Sequence, residues 1–182
     1  MAKALDERDV ARASKHTSTF RAEDVAAAAE FRKEYEKRAN VISAEEMPFE
    51  RSADGLIKHL IHHKMNTPEM CVEAYMQFLK PGEHSGKHRH MWEEVIFVIE
   101  GSGYDLHWDF RFDCLEEFEW KWEDEPKRFE WKRGDFIYVP PFVTHQHFAD
   151  PGGEARLIVI SNRIIKEMGF DWFDQLEKAP GA

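Results

Sequence analysis

Between Leu56 and Ser161 apolar and polar residues alternate in short runs punctuated by glycine and proline. That two-residue period predicts strands rather than helices. Leu56 to Met65 (LIKHLIHHKM) reads as the first strand, with His59, His62 and His63 as ordinary strand or interface histidines. Met70 to Leu79 follows the Thr67-Pro68 break. One of its faces is apolar (Val72, Ala74, Met76, Phe78). The other is mixed (Cys71, Glu73, Tyr75, Gln77, Leu79) and suits a pocket or an interface. Gly103 to Phe112 sets Tyr104, Leu106 and Trp108 against Asp105, His107 and Asp109, the pattern of a half-buried antiparallel strand. At most one of Tyr104 and His107 then looks inward. Gly134 to Tyr138 and Ala155 to Ser161 complete the strong strands, with turns at Pro140-Pro141 and Pro151-Gly152-Gly153.

Cys114 to Lys132 (CLEEFEWKWEDEPKRFEWK) alternates aromatics with charges. It is expected to form a hairpin around Asp124 to Lys127, an edge ribbon that covers the strands rather than a lid. Thr19 to Arg38 reads as a helix, rich in good helix formers, with Glu23 and Asp24 in its first turn and Phe31 and Tyr35 on one face. Residues 1–18 are polar and expected to fray. Asn40 to Gly55 reads as an irregular connection ending in the Asp54-Gly55 turn, and Ile164 to Lys178 as a short amphipathic helix. The division is an N-terminal helical arm over residues 1–50 and one domain over 51–182.

Of the 182 residues, 42% are hydrophobic and 33% charged, a globular composition. No apolar run approaches the roughly 18 residues of a membrane helix, and the N-terminus has no apolar leader. Cys71 and Cys114 stand in no paired motif and read as buried, inert thiols in a reduced, cytoplasmic setting. The net charge of −10 disfavours nucleic acid and anionic membrane surfaces as partners.

The candidate chemistry lies in Gly82 to Gly101 (GEHSGKHRHMWEEVIFVIEG). His88 and His90 are two apart and Glu94 is four further on. An extended chain puts all three on one face, just before the run Val95 to Ile99. Imidazole and carboxylate together are ligands for a divalent first-row metal. Downstream, His145 and His147 share a face of another strand.

Gly82, His88, His90, Glu94 and Gly101 match the first motif of the cupins at every spacing, and Gly134, Pro140 and His145 match the second. The chain therefore resembles a single-domain cupin over roughly Leu56 to Ile160, and is similar to the gentisate dioxygenase-like cupins. Two positions depart from the pattern: Phe142 stands where glycine is usual and Ala149 where asparagine is usual. The resemblance implies an all-β jelly-roll barrel, with an N-terminal helix and a short C-terminal helix, and a homodimer. It implies a metal inside, held by His88, His90, Glu94 and His145. Iron(II) is the first expectation; manganese(II), nickel(II), copper(II) and zinc(II) are the alternatives. The activity implied is a non-haem dioxygenase acting on a small aromatic or carbonyl-containing acid. The alternatives are a metal-dependent lyase, isomerase or decarboxylase, and a non-catalytic ligand-binding cupin. His147 and Tyr104 are the candidates for proton transfer.

Overall fold

A computed structural model describes residues 18–67, 71–114 and 118–182; the frayed segment expected over residues 1–18 lies outside these except for Ser18. The chain divides into two units, and within the first the described residues form helix α1, Phe20–Tyr35. Thr19 precedes it without a side-chain cap, Phe31 and Tyr35 pack ring to ring, and none of its residues is buried. The ion pairs Glu30–Lys33 and Glu34–Lys37 run along its surface. Such exposed pairs add only a few tenths of a kcal/mol each, about 0.3–0.5.

The second unit holds thirteen strands and one short helix among its described residues. The strands are β1 (Phe49–Ser52), β2 (Gly55–Ile61), β3 (Val72–Leu79), β4 (Lys87–His90), β5 (Glu94–Glu100), β6 (Ser102–Trp108) and β7 (Phe110–Cys114). They continue with β8 (Phe118–Trp122), β9 (Lys127–Lys132), β10 (Phe136–Val139), β11 (Thr144–Ala149), β12 (Ala155–Asn162) and β13 (Phe173–Glu177); helix α2 is Ile164–Glu167. One sheet runs β1-β2-β3-β12-β5-β10, a second β13-β4-β11-β6-β9, and β7 pairs with β8 alone. Every pairing is antiparallel, which gives the jelly-roll arrangement expected from the sequence.

The alternation of β5 and β12 turns Ile96, Val98, Leu157 and Val159 inward, where they meet Trp131 of β9 and Val139 of β10. Each such side chain, fully buried, contributes about 1.5–3 kcal/mol. This apolar core occupies one end of the inner space. At the other end the same strands present Glu94 and Ser161, which are register partners across β5 and β12. Gly101 turns β5 into β6 at φ +85°, and a Cβ there would stand 2.4 Å from the carbonyl oxygen of Glu154. Only glycine fits.

Several expectations are corrected. Phe49–Ser52, taken for irregular chain, is strand β1, closed onto β2 by the Asp54-Gly55 turn. The aromatic insert does not fold as one hairpin around Asp124 to Lys127: β8 pairs back with β7, and β9 pairs with β6. Aromatic-charge alternation suits either partner, and the side of β6 away from β11 takes β9. Phe110, Trp120 and Trp122 gather with Phe142 and Trp172 outside β4, so the ribbon covers the sheet. The expected C-terminal helix is one turn, α2, and GFDWFDQLEK continues instead as β13 on the edge of β4. Cys71 is exposed, not buried; the side chain of Cys114 lies outside the described part.

Candidate metal centre

β4 carries His88 and His90 on its inner face, β5 opens with Glu94, and β11 carries His145, its second residue, directly opposite His88. All four side chains are buried, and one ligand atom from each lies within 4.8 Å of the others. His90 Nε2 is 3.3 Å from Glu94 Oε1, and His145 Nε2 is 3.7 Å from Glu94 Oε2.

The other nitrogen of each ring is directed elsewhere. Nδ1 of His90 lies 2.8 Å from the carbonyl oxygen of Trp92, and Nδ1 of His145 lies 3.0 Å from that of Val143. Asp54 Oδ1 stands 3.0 Å from Nδ1 of His88, at ion-pair distance but without hydrogen-bond alignment. An acceptor at Nδ1 holds the proton there and leaves the Nε2 lone pair free. Eight buried side-chain polar atoms among the described residues have no aligned hydrogen bond, and six of them belong to His88, His90, Glu94, His145 and His147. Such atoms are costly to bury without a partner. A divalent ion is the group that this donor set fits.

The electrostatics agree. Burial pushes the Glu94 carboxyl up, but His90 and His145 beside it prevail and hold it well below the usual carboxylate range. Burial, with His88 alongside, pushes His145 down to about 3. The centre thus presents an ionised carboxylate and a neutral imidazole, the protonation states that ligation needs.

Above the cluster a cavity of about 370 Å³ is walled by Trp92, Phe173, Tyr75, Glu73 and Lys166. Trp92 stacks on His90, and Phe173, brought in by β13, packs on His88. Lys166 of α2 reaches over Trp92 with its Nζ 4.2 Å from the ring centroid and 3.1 Å from Glu73 Oε2. Burial and the carboxylates of Glu94, Asp54 and Glu73 push the Tyr75 phenol well above its usual value, so it keeps its proton. The mixed face of β3 therefore lines the cavity.

The two candidates for proton transfer separate. His147 is buried, with its ring centroid 5.5 Å from that of His145 and Nδ1 2.9 Å from Asp105 Oδ2. Burial pushes its pKa down, but Asp105 prevails and raises it. Tyr104 faces the other way: its ring stacks on Phe148 with the Arg128 guanidinium above it. It is the alternate face of β6, Asp105 and His107, that turns inward, because the Trp131 indole and the two imidazoles meet that carboxylate. A role for Tyr104 at the cluster is not carried by its placement.

Asp54, Asp105 and Lys166 were missed as site residues, whereas Tyr75 lies on the mixed face expected to suit a pocket. The Asp54-Gly55 turn was visible, but no local pattern pairs it with a histidine 34 positions on. A second group, His62, His63 and Glu73, also comes within 4.8 Å, but Glu73 is already engaged by Arg163 and Lys166.

The family described as auxin binding protein matches residues 37–175. The chain belongs to that family, and so to the cupins. Among solved structures, it is similar to an oxalate decarboxylase variant of Bacillus subtilis at 17% identity and a TM-score of 0.51, over 69% of this chain and 31% of that one. It is similar to a cupin-like protein of Thermotoga maritima at 20% identity and 0.49, over 78% and 87%. It is also similar to a salicylate 1,2-dioxygenase variant of Pseudoaminobacter salicylatoxidans in complex with gentisate, at 15% and 0.48, over 69% and 30%. The likeness to the decarboxylase shows the fold alone. No helix of the described residues in this family member is long and apolar enough to cross a membrane.

Proposed function

We propose that the protein holds a divalent metal ion through His88, His90, Glu94 and His145, takes a small aromatic acid beside it, and acts as a non-haem iron dioxygenase. The observation that carries the reading is the convergence of unpartnered Nε2 atoms of His90 and His145 on the ionised Glu94 carboxylate, inside a buried space. Bound there, iron(II) would supply open coordination positions and redox chemistry.

The chain's own residues do the rest. Trp92 and Phe173 offer flat apolar walls to a ring, and Lys166 puts a cation at the mouth to draw in a carboxylate. Tyr75 keeps an O–H available inside the cavity as a donor. Asp54, tied to Gln175 of β13, holds His88 in place. His147, whose pKa Asp105 raises against burial, stands next to His145 as a proton donor or acceptor.

A second reading, a binder without turnover, is favoured by the match to a family described by binding. One experiment separates the outcomes. Elemental analysis of the purified protein is compared with His88→Ala, and oxygen uptake is then followed with salicylate, gentisate and catechol. About one iron per chain, lost in the variant, with oxygen consumed, supports the dioxygenase. Metal and tight ligand binding without oxygen uptake support the binder. A folded wild-type protein that takes up no metal ends both.

A further inference from the structure

A second cleft, of about 510 Å³, opens where the two main sheets end, between β9 and β10, and none of its lining residues belongs to the cavity above the metal centre. Its size falls within the range of small-molecule sites, roughly 300–1,000 Å³. Trp131 and Ile137 form its inner wall, and Phe129, Phe136 and Tyr138 its rim. The lining includes Asp135 and Glu130, and the Arg128 guanidinium stands 3.6 Å from the Glu130 carboxylate.

The one imidazole in this wall is His107, only 5% exposed, with its ring centroid 5.0 Å from that of Phe129. Its Nε2 lies 3.4 Å from Asp105 Oδ2. An ionised carboxylate only accepts, so Nε2 carries the ring proton and Nδ1 is left as an acceptor. Nδ1 has no hydrogen-bond partner among the described residues. That acceptor is open to the cleft, so a donor that fills the space can reach it.

The geometry points to a second ligand site in this cleft, for a small aromatic molecule that carries a hydroxyl or ammonium donor and no carboxylate. The ring lies against Phe129 and Ile137, and its donor meets His107 Nδ1. Asp135 disfavours an anion and favours a neutral or cationic molecule. The site stands independently of the metal: its ligand is selected for donating a proton, whereas the metal centre selects an anionic chelator.

The test uses three molecules of similar size, phenol, benzylamine and benzoate, titrated into the isotope-labelled full chain while backbone amide resonances are followed. Phenol and benzylamine should move the amides of Phe129 and Phe136 to Tyr138, and benzoate at the same concentration should not. Ile137→Trp, which fills the cleft, should abolish the shifts. Phe129→Ala, on an exposed edge and safe for folding, should weaken them about three- to tenfold, and His107→Phe at least tenfold. The proposal is overturned if neither donor moves these amides. It is equally overturned if benzoate binds as well as phenol, or if Phe129→Ala and His107→Phe both leave affinity within twofold of wild type.

Discussion

Replacing Asp105 by asparagine keeps the shape of a fully buried side chain and removes its charge. Asp105 Oδ1 accepts from Trp131 Nε1 at 2.7 Å, and Oδ2 faces His147 Nδ1 at 2.9 Å and His107 Nε2 at 3.4 Å. Burial alone would push this carboxyl up, yet the two histidines hold it well below the usual range. In Asp105→Asn one oxygen can still serve Trp131, but the amide then presents a donor to both rings. Each imidazole must turn over its tautomer or lose its partner. Breaking a buried pair costs about 3–5 kcal/mol when one charge is left stranded. Here His147 can shed its proton, so we expect a loss of roughly 2–4 kcal/mol. Urea denaturation at pH 7 reads this directly, and the melting temperature should fall by about 5–15 °C. The sign of a second readout follows from the same contacts. Against burial, Asp105 is the largest of the groups that raise His147, ahead of Glu94 and Asp54; without it the ring should titrate lower than in the wild type by proton NMR of the metal-free protein. A loss under about 1 kcal/mol, with His147 titrating as in the wild type, would refute the account of this triad.

Three further outcomes are expected. Asp54→Asn should leave the fold intact but lower metal affinity about 10–100-fold in competition with a chelator, because Nδ1 of His88 loses its carboxylate. Phe142 is the one described non-glycine residue at positive φ, +66°, so Phe142→Ala should destabilise more than Phe142→Gly by about 1 kcal/mol: both lose the ring packed on Phe110 and Trp172, but only glycine relieves the backbone. In the metal-free protein, His145 is held at about 3 against 6.5 in the unfolded chain, so the unfolded state binds the extra proton and stability falls as pH drops. Denaturation curves should show a loss of about 2 kcal/mol between pH 6 and 4.5, flattened in His145→Gln.

The ligand strands were legible because their chemistry is local. His88, His90 and Glu94 keep even spacing on one chain, and strand geometry alone puts even-spaced residues on one face. His145 was found by its place in the second motif, and the register of β11 against β4 puts it opposite His88. The aromatic insert was misread because its alternation fixes only which face is apolar, not which strand it joins; the vacant edge of β6 decided that. GFDWFDQLEK carries apolar residues at spacings that serve a helix or a strand. The four-residue strand β4, otherwise an unpaired edge bearing two of the histidines, draws it into the sheet. Phe142 marked a departure from the family pattern, and the structure shows what the departure entails: the left-handed turn is kept, at a cost of about 1–2 kcal/mol, while the ring joins the aromatic cluster outside β4.

The polar groups inside this barrel fall into two kinds, and the difference tells structural residues from reactive ones. Asp105 is buried as deeply as any ligand, but its two oxygens are met by an indole and two imidazoles. Nothing is left over, so its task is to hold other side chains. His90, His145 and Glu94 are equally buried, yet each keeps an atom without an aligned partner, and those atoms face one another. A fold that satisfies a carboxylate so completely on β6 does not leave three others unsatisfied, a few ångströms away, through poor packing. Each would cost about 1–3 kcal/mol if it stayed so, an expense comparable to a large share of a domain's net stability of roughly 5–15 kcal/mol. The residual valence is therefore what the surrounding structure is arranged to keep open: Nδ1 of His90 and His145 on backbone carbonyls, Asp54 behind His88, β13 closing over β4.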